Sequence, residues 1–185
     1  MDFRDYSMAS DPEKNDEIEL NVKLIPEGIG SRYLHSLKPG DRGLFSGFYG
    51  DFYLRTDSTR KIVCVAGGVG LAPIKSIIAW WKNHQNDRTC ELYYGSRTTK
   101  DLYDHDLFLK IAEETPTFTY IPALSAEDNS WTGERGFIHQ VLDRLLQEGD
   151  KVEAYLCGPP IMIDAVTEVL IKHGVLKGRI YYDKF

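Results

Sequence analysis

The chain has 185 residues, of which 42% are hydrophobic, 12% aromatic and 27% charged, with a formal net charge of -6; this is ordinary globular composition with room for one full domain and part of a second. The acidic balance excludes nucleic acid as the main partner and a basic membrane-docking patch, because both need clustered Lys and Arg. The cysteines Cys64, Cys90 and Cys157 form no tight pair, which argues against a disulfide framework, a metal site or a four-cysteine iron–sulfur site and predicts a reducing, cytoplasmic setting. No apolar run approaches the roughly 18 residues of a membrane span, and the start has neither the basic stretch nor the apolar core of a signal peptide.

Up to about residue 58 the pattern is short strands broken by turns. Glu17 to Leu24 alternates polar and apolar residues, as a half-buried strand does. Lys38-Pro39-Gly40-Asp41 reads as a turn, and Leu44 to Phe52 is aromatic and punctuated by glycine. These predict a piece of an antiparallel barrel over 1–58.

From residue 59 the pattern becomes alternating β and α. Strands are predicted at Lys61–Ala66, Glu91–Gly95, Phe118–Ile121, Val152–Leu156 and Arg179–Tyr182. Helices are predicted over Pro73–Trp81, around Leu107–Ile111, over Phe137–Leu145 and over Met162–Ile171. Short connections between such elements predict a Rossmann-like five-stranded parallel sheet over 59–185, with helices on both faces. Trp81 continues an apolar stripe and reads as core. Asp101, Asp104 and Asp106 read as a solvated helix start, and the five histidines show no metal-ligand spacing.

Three motifs carry chemistry. Ala66-Gly67-Gly68-Val69-Gly70-Leu71-Ala72-Pro73 follows a strand and opens a helix. Its glycines allow a sharp turn and close approach to an anion, the helix start offers free N–H groups, and Pro73 suits the first turn. A ligand-free strand-to-helix turn explains that run alone equally well, and its spacing is not the Gly-x-Gly-x-x-Gly fingerprint. Cys157-Gly158-Pro159-Pro160 also joins a strand to a helix. If the first and fourth strands flank the switch point, both turns face one crevice; a buried structural cysteine beside a helix cap is the alternative. In Arg4-Asp5-Tyr6-Ser7, alternation puts Arg4 and Tyr6 on one face. The arginine suits a phosphate, the ring a planar cofactor and the Ser7 hydroxyl a ring nitrogen, although four residues on a surface β segment would look the same. Trp131-Thr132-Gly133 reads either as a loop over an adenosine or as an ordinary turn.

Together and in this order, these motifs resemble the ferredoxin-NADP reductase superfamily, and the resemblance covers nearly the whole chain. It implies FAD held by Arg4, Tyr6, Ser7, Asn21, Lys23 and the turn Gly28-Ile29-Gly30-Ser31, with Ser31 facing the pyrophosphate. It implies a pyridine nucleotide held by Gly67, Gly68, Val69, Gly70, Ala72, Pro73, Ser96, Arg97, Cys157, Gly158 and Pro159. Tyr6 would stack on the flavin, Ser7 would bond near its reactive nitrogen, Cys157 would lie beside the nicotinamide without acting as a covalent nucleophile, and Phe185 would cover the other flavin face. Within the superfamily, Tyr94-Gly95-Ser96-Arg97, Ala123-Leu124-Ser125 and Trp131 to His139 are most similar to the flavin-bearing F subunits of sodium-translocating NADH:quinone reductases. That likeness implies hydride transfer from NADH to FAD, then electron transfer to an iron–sulfur or quinone-reducing partner, with a membrane complex as the setting. The alternatives are a nucleotide-binding module without functional flavin and the reductase component of a monooxygenase. Ser96 and Arg97 would suit the 2′-phosphate of NADPH, whereas the resemblance favours NADH. The family motif Arg-x-Tyr-Ser lies well inside the flavin barrel, so its first strands are expected to be missing and the chain to be a fragment or fusion partner.

Overall fold

A computed structural model describes residues 3–14, 16–147 and 149–184; the expectation for Phe185 lies outside the described residues. Among those before Lys61, helix α1 (Ile29–Ser36) is the one regular element. The predicted strands over 17–24 and 44–52 form no ladder. They are represented by a single antiparallel bridge, Met8 to Leu20, beside a 2.8 Å bond from the Ala9 N–H to the Glu19 carbonyl. The expected partial barrel is therefore not assembled as a sheet among the described residues. The reason is physical: alternation supplies a face, but a strand needs a paired neighbour. The 44–52 segment has none, and it leaves Leu44 88% and Tyr49 82% exposed.

The remainder is a layered α/β domain. In chain order it runs β1 (Lys61–Gly67), α2 (Leu71–His84), β2 (Cys90–Ser96), α3 (His105–Glu114), β3 (Phe118–Leu124), β4 (Glu134–Arg135), α4 (Ile138–Leu145), β5 (Val152–Gly158), α5 (Pro160–Lys172) and β6 (Ile180–Lys184). The strands form one parallel sheet in the order β4-β3-β2-β1-β5-β6. It has six strands rather than the predicted five; the addition is the two-residue edge strand β4, too short to leave a periodic signal.

The central strands are apolar throughout because helices cover both faces. Along β1, Ile62, Cys64 and Ala66 point to the layer built on α2 and α3, with Ile74, Ile78, Trp81 and Phe108. Val63 and Val65 point to the layer of α4 and α5, with Val141, Leu142, Ile163 and Val166. This is the period-two alternation of a strand read against two helical stripes. Trp81 is fully buried, as its stripe position predicts, and donates its indole N–H to the Arg88 carbonyl at 2.7 Å.

The segment entering β1 is fastened to this domain. Leu54 is buried among the α2 layer. The Arg55 N–H donates to the Tyr155 hydroxyl at 2.9 Å, and the Arg88 guanidinium donates to the Arg55 carbonyl at 3.1 Å. Arg88 and Glu153, both buried, approach to 3.6 Å. A buried pair of this kind fixes geometry more than it adds stability.

Candidate functional site

From β1 the chain builds outward through β2 and β3, then returns across the sheet to lay β5 on the other side of β1. The C-terminal ends of β1 and β5 therefore flank the switch point, where α/β sheets leave a crevice. The two glycine turns meet there in backbone contact. A Cβ on Gly70 would collide with the Cys157 carbonyl and lie 2.8 Å from the Gly158 nitrogen, so only glycine permits this approach. Gly68 takes the left-handed conformation (φ 55°), and a Cβ there would meet nothing within 4 Å; its outer side is open. Val69 is half-buried and Pro159 exposed at the rim, while Ala72 and Pro73 are buried and pack beneath the turn.

Cys157 pairs with Ala66 of β1 on one side and Asp183 of β6 on the other. It is buried, and burial, helped by the Asp183 charge, pushes its thiol up to about 12. The group is a neutral thiol at neutral pH, in keeping with a packing role rather than nucleophilic attack. Asp183 also accepts a 3.2 Å hydrogen bond from the Ser7 hydroxyl. The first motif is thus joined to the strand beside Cys157, across 176 residues of sequence. Asp183 was absent from the sequence expectations; the available signal was an acidic residue closing the last strand, two positions before the terminal aromatic.

Arg4 and Tyr6 share a face, and that face lies over α1. A Cβ on Gly30 would sit 2.5 Å from the Tyr6 hydroxyl and 3.0 Å from Cγ of Arg4. The structure therefore brings together the Arg4–Ser7 motif and the Gly28–Ser31 turn. Ser31 departs from its expected orientation. It is buried, accepts from the Ile25 N–H at 3.1 Å and bonds the Ile25 carbonyl at 3.2 Å, so its hydroxyl caps its own turn instead of facing outward. Ile29 and Lys23 are exposed.

At the end of β2, Ser96 is buried and donates to the Asp101 carbonyl at 2.9 Å, whereas Arg97 is exposed. The Asp101 carboxylate accepts from the Thr98 N–H at 3.1 Å and the Thr98 hydroxyl at 2.7 Å. It closes a capping box. Trp131 is tied into its own turn: it packs on Gly133 and donates to the Glu134 carbonyl at 2.9 Å.

These surroundings suit two anionic dinucleotides. The first turns of α1 and α2 hold no acidic residue and neither helix has a side-chain cap, leaving N–H groups and positive dipole ends for phosphate. Beside the Met8–Leu20 bridge, the Asn21 side-chain amide nitrogen is buried and has no partner among the described residues, a donor of the kind a bound ring would satisfy. No cluster of three potential metal ligands exists among the described residues, and no helix there is long and apolar enough to cross a membrane.

Comparison with known proteins agrees with this geometry. A family model for the oxidoreductase FAD-binding domain matches residues 2–53, and one for the oxidoreductase NAD-binding domain matches residues 64–168. The chain is 36% identical over 188 residues to the reductase component of phenol 2-monooxygenase from Pseudomonas sp. (strain CF600), covering 98% of this chain and 53% of that protein. It is 38% identical over 200 residues to the F subunit of the Na(+)-translocating NADH-quinone reductase of Klebsiella pneumoniae, covering 99% and 49%. Among solved structures, the Amycolatopsis cytochrome P450 reductase GcoB matches with a TM-score of 0.87 and 33% identity, over 97% of this chain and 55% of that one. The chain spans about half the length of these relatives. The F subunits are not singled out among them.

Proposed function

The chain belongs to the FAD- and NAD-binding oxidoreductases of the ferredoxin-reductase-like superfamily, and from that premise we propose that it is the reductase module of an electron-transfer system, taking a hydride from NADH onto FAD and passing electrons to an iron–sulfur partner of an oxygenase. Residues 1–58 serve the flavin and 59–185 the nicotinamide nucleotide. The observation that carries the reading is the hydrogen bond from Ser7 to Asp183 beside Cys157, which joins the flavin motif to the crevice between the two glycine turns.

When bound, the nicotinamide supplies a hydride and the flavin accepts it, so the protein's task is positioning. Gly68, open on its outer side, would let the nucleotide pyrophosphate approach the start of α2, while Gly67 and Gly70 hold the turn against Met162 and the Cys157–Gly158 backbone. Cys157 and Gly158 would form the floor under the nicotinamide, Cys157 as a neutral thiol with no covalent role. Arg4 and the start of α1 would take the flavin pyrophosphate, Tyr6 would lie against the flavin ring, and Asn21, Lys23 and Ser7 would bond its edge. Asp183 orients the Ser7 hydroxyl. Ser31 supports the turn Gly28-Ile29-Gly30 from within.

The oxygenase assignment rests on relatives that are reductase or electron-transfer components of phenol, anthranilate and propane oxygenases. A second reading, a quinone-reductase F-type role in a membrane complex, is favoured by the 38% identity to those proteins; their names also favour NADH as donor. Anaerobic NADH is expected to bleach the visible flavin band of the FAD-loaded protein, with Ser7→Ala slowing the bleaching about tenfold at unchanged NADH affinity. Onward transfer to a ferredoxin-type protein is expected to outrun transfer to a soluble quinone. The reverse order would move the assignment to the second reading, and no bleaching would end both.

A further inference from the structure

Asp104 is the one non-glycine residue with positive φ (53°) among the described residues. It occupies the N-cap position of α3, yet makes no side-chain cap bond. An aspartate there would ordinarily sit in extended backbone and accept an N–H of the first helical turn. A residue held off its favoured backbone and out of its local role points to a competing contact. That contact is Lys75, whose ammonium lies 3.0 Å from the Asp104 carboxylate and 2.6 Å from that of Glu19. The Lys75 side chain is only 15% exposed. Burial alone would lower its pKa, but the bonds to Glu19 and Asp104 outweigh it and hold the group above its ordinary value, fully charged.

Each carboxylate leads to one of the two cofactor sites. The Glu19 carbonyl accepts the Ala9 N–H, and Leu20 bridges Met8; Ser7 and Asn21 flank that pair. On the other side, Tyr103, next to Asp104, donates its N–H to the Tyr94 hydroxyl at 3.3 Å, and that hydroxyl bonds the Gly68 carbonyl at 3.1 Å. Lys75 itself stands one turn into the helix that the dinucleotide turn opens. Among the described residues, further polar contacts from residues 3–14 to α2, Asn83 to Asp11 and His84 to Glu13, are exposed and lie at the helix end, where ion pairs and hydrogen bonds contribute little.

We propose that Lys75 is a positioning residue that ties the Met8–Leu20 strand pair, with Ser7 and Asn21 beside it, to the Gly68 turn, and so sets the placement of the flavin site against the nicotinamide site. The proposal rests on the flavin–nicotinamide reading given above. Hydride transfer demands such placement, since displacements near 1 Å cost up to about a hundredfold in rate.

The test compares Lys75→Met, Lys75→Arg, Glu19→Gln and the control Asn83→Ala in the full chain by amide hydrogen exchange and by NADH-driven flavin bleaching. Lys75→Met and Glu19→Gln are expected to speed exchange at Ala9 about tenfold while the amides of β1 stay protected. Lys75→Met is expected to slow bleaching about tenfold at saturating NADH with affinity changed less than about twofold. Lys75→Arg is expected to restore both, and Asn83→Ala to match wild type. Unchanged Ala9 exchange in both Lys75→Met and Glu19→Gln, or raised exchange with an unaltered bleaching rate, overturns the proposal. If NADH fails to bleach even the wild-type protein, the reductase reading falls on its own, and the exchange result still upholds or overturns the Lys75 tie. Should Lys75→Met not fold, Glu19→Gln breaks the same link at a more exposed partner.

Discussion

Residues 61–184 and residues 3–58 differ in how they meet the same two demands, pairing the backbone and burying apolar side chains. The first set does nearly all of this internally: six strands share one sheet, and two apolar layers, one of them joined by Leu54, close over it. Among the described residues the second set has one helix and one bridge, and leaves Leu44, Phe45, Phe48 and Tyr49 exposed. Much of its fixation comes from the other half, through Lys75 to Glu19, Asn83 to Asp11, Gln85 to Thr56 and Tyr155 to Arg55. The crevice between the two glycine turns is therefore a property of one domain's own packing. The flavin motif owes its position to contacts across the boundary.

If the floor of the crevice is as closed as the packing has it, Cys157, with its thiol near 12 against an ordinary 9.0, will have roughly a thousandfold less thiolate than a free cysteine at about pH 8. Its alkylation by iodoacetamide, followed by mass spectrometry, should be slower by at least that factor and should accelerate as pH rises toward 12; rapid labelling near neutrality would show an open floor. Urea unfolding should separate the two halves next. Leu142→Ala in the fully buried α4 layer is expected to cost about 3 kcal/mol, whereas Phe45→Ser, at a side chain 68% exposed, should stay within about 0.5 kcal/mol. Equal losses would mean that the first half has a core of its own. The smallest effect is expected at Arg97, exposed at the end of β2. Arg97→Ala should lower kcat/KM for NADPH about fivefold while leaving NADH within about twofold, since only the former carries a 2′-phosphate for the guanidinium.

The same contrast governs what could be read from the sequence. The five longer strands and the four helices of the α/β half were legible because apolar periodicity reports burial on one's own helices and strands, and Val63, Val65, Ile74 and Ile78 all end in the layers their spacing implies. The meeting of Gly70 with Cys157 was legible because both turns follow strands that flank a switch point. Strand β4, with two residues, had no period to read. Alternation at 17–24 signalled a strand face but could not signal whether a partner strand would pair with it. The inward turn of Ser31, the capping duty of Asp101 and the reach of Asp104 to Lys75 depend on which nearby donor wins a short polar side chain, a competition that local composition does not decide. Asp183 was missed because its partner Ser7 lies at the far end of the chain.

If the turns around residues 67–70 and 157–160 form one cleft for a nicotinamide dinucleotide, calorimetric titration of the protein and of Gly70→Ala with NADH will show it. The wild type is expected to show saturable one-site binding and Gly70→Ala an affinity at least about tenfold weaker, about 1.4 kcal/mol, with circular dichroism unchanged, because the added methyl forces the Cys157–Gly158 backbone away from the Gly70 turn. No heat with the wild type, or an affinity untouched by the substitution, would contradict it.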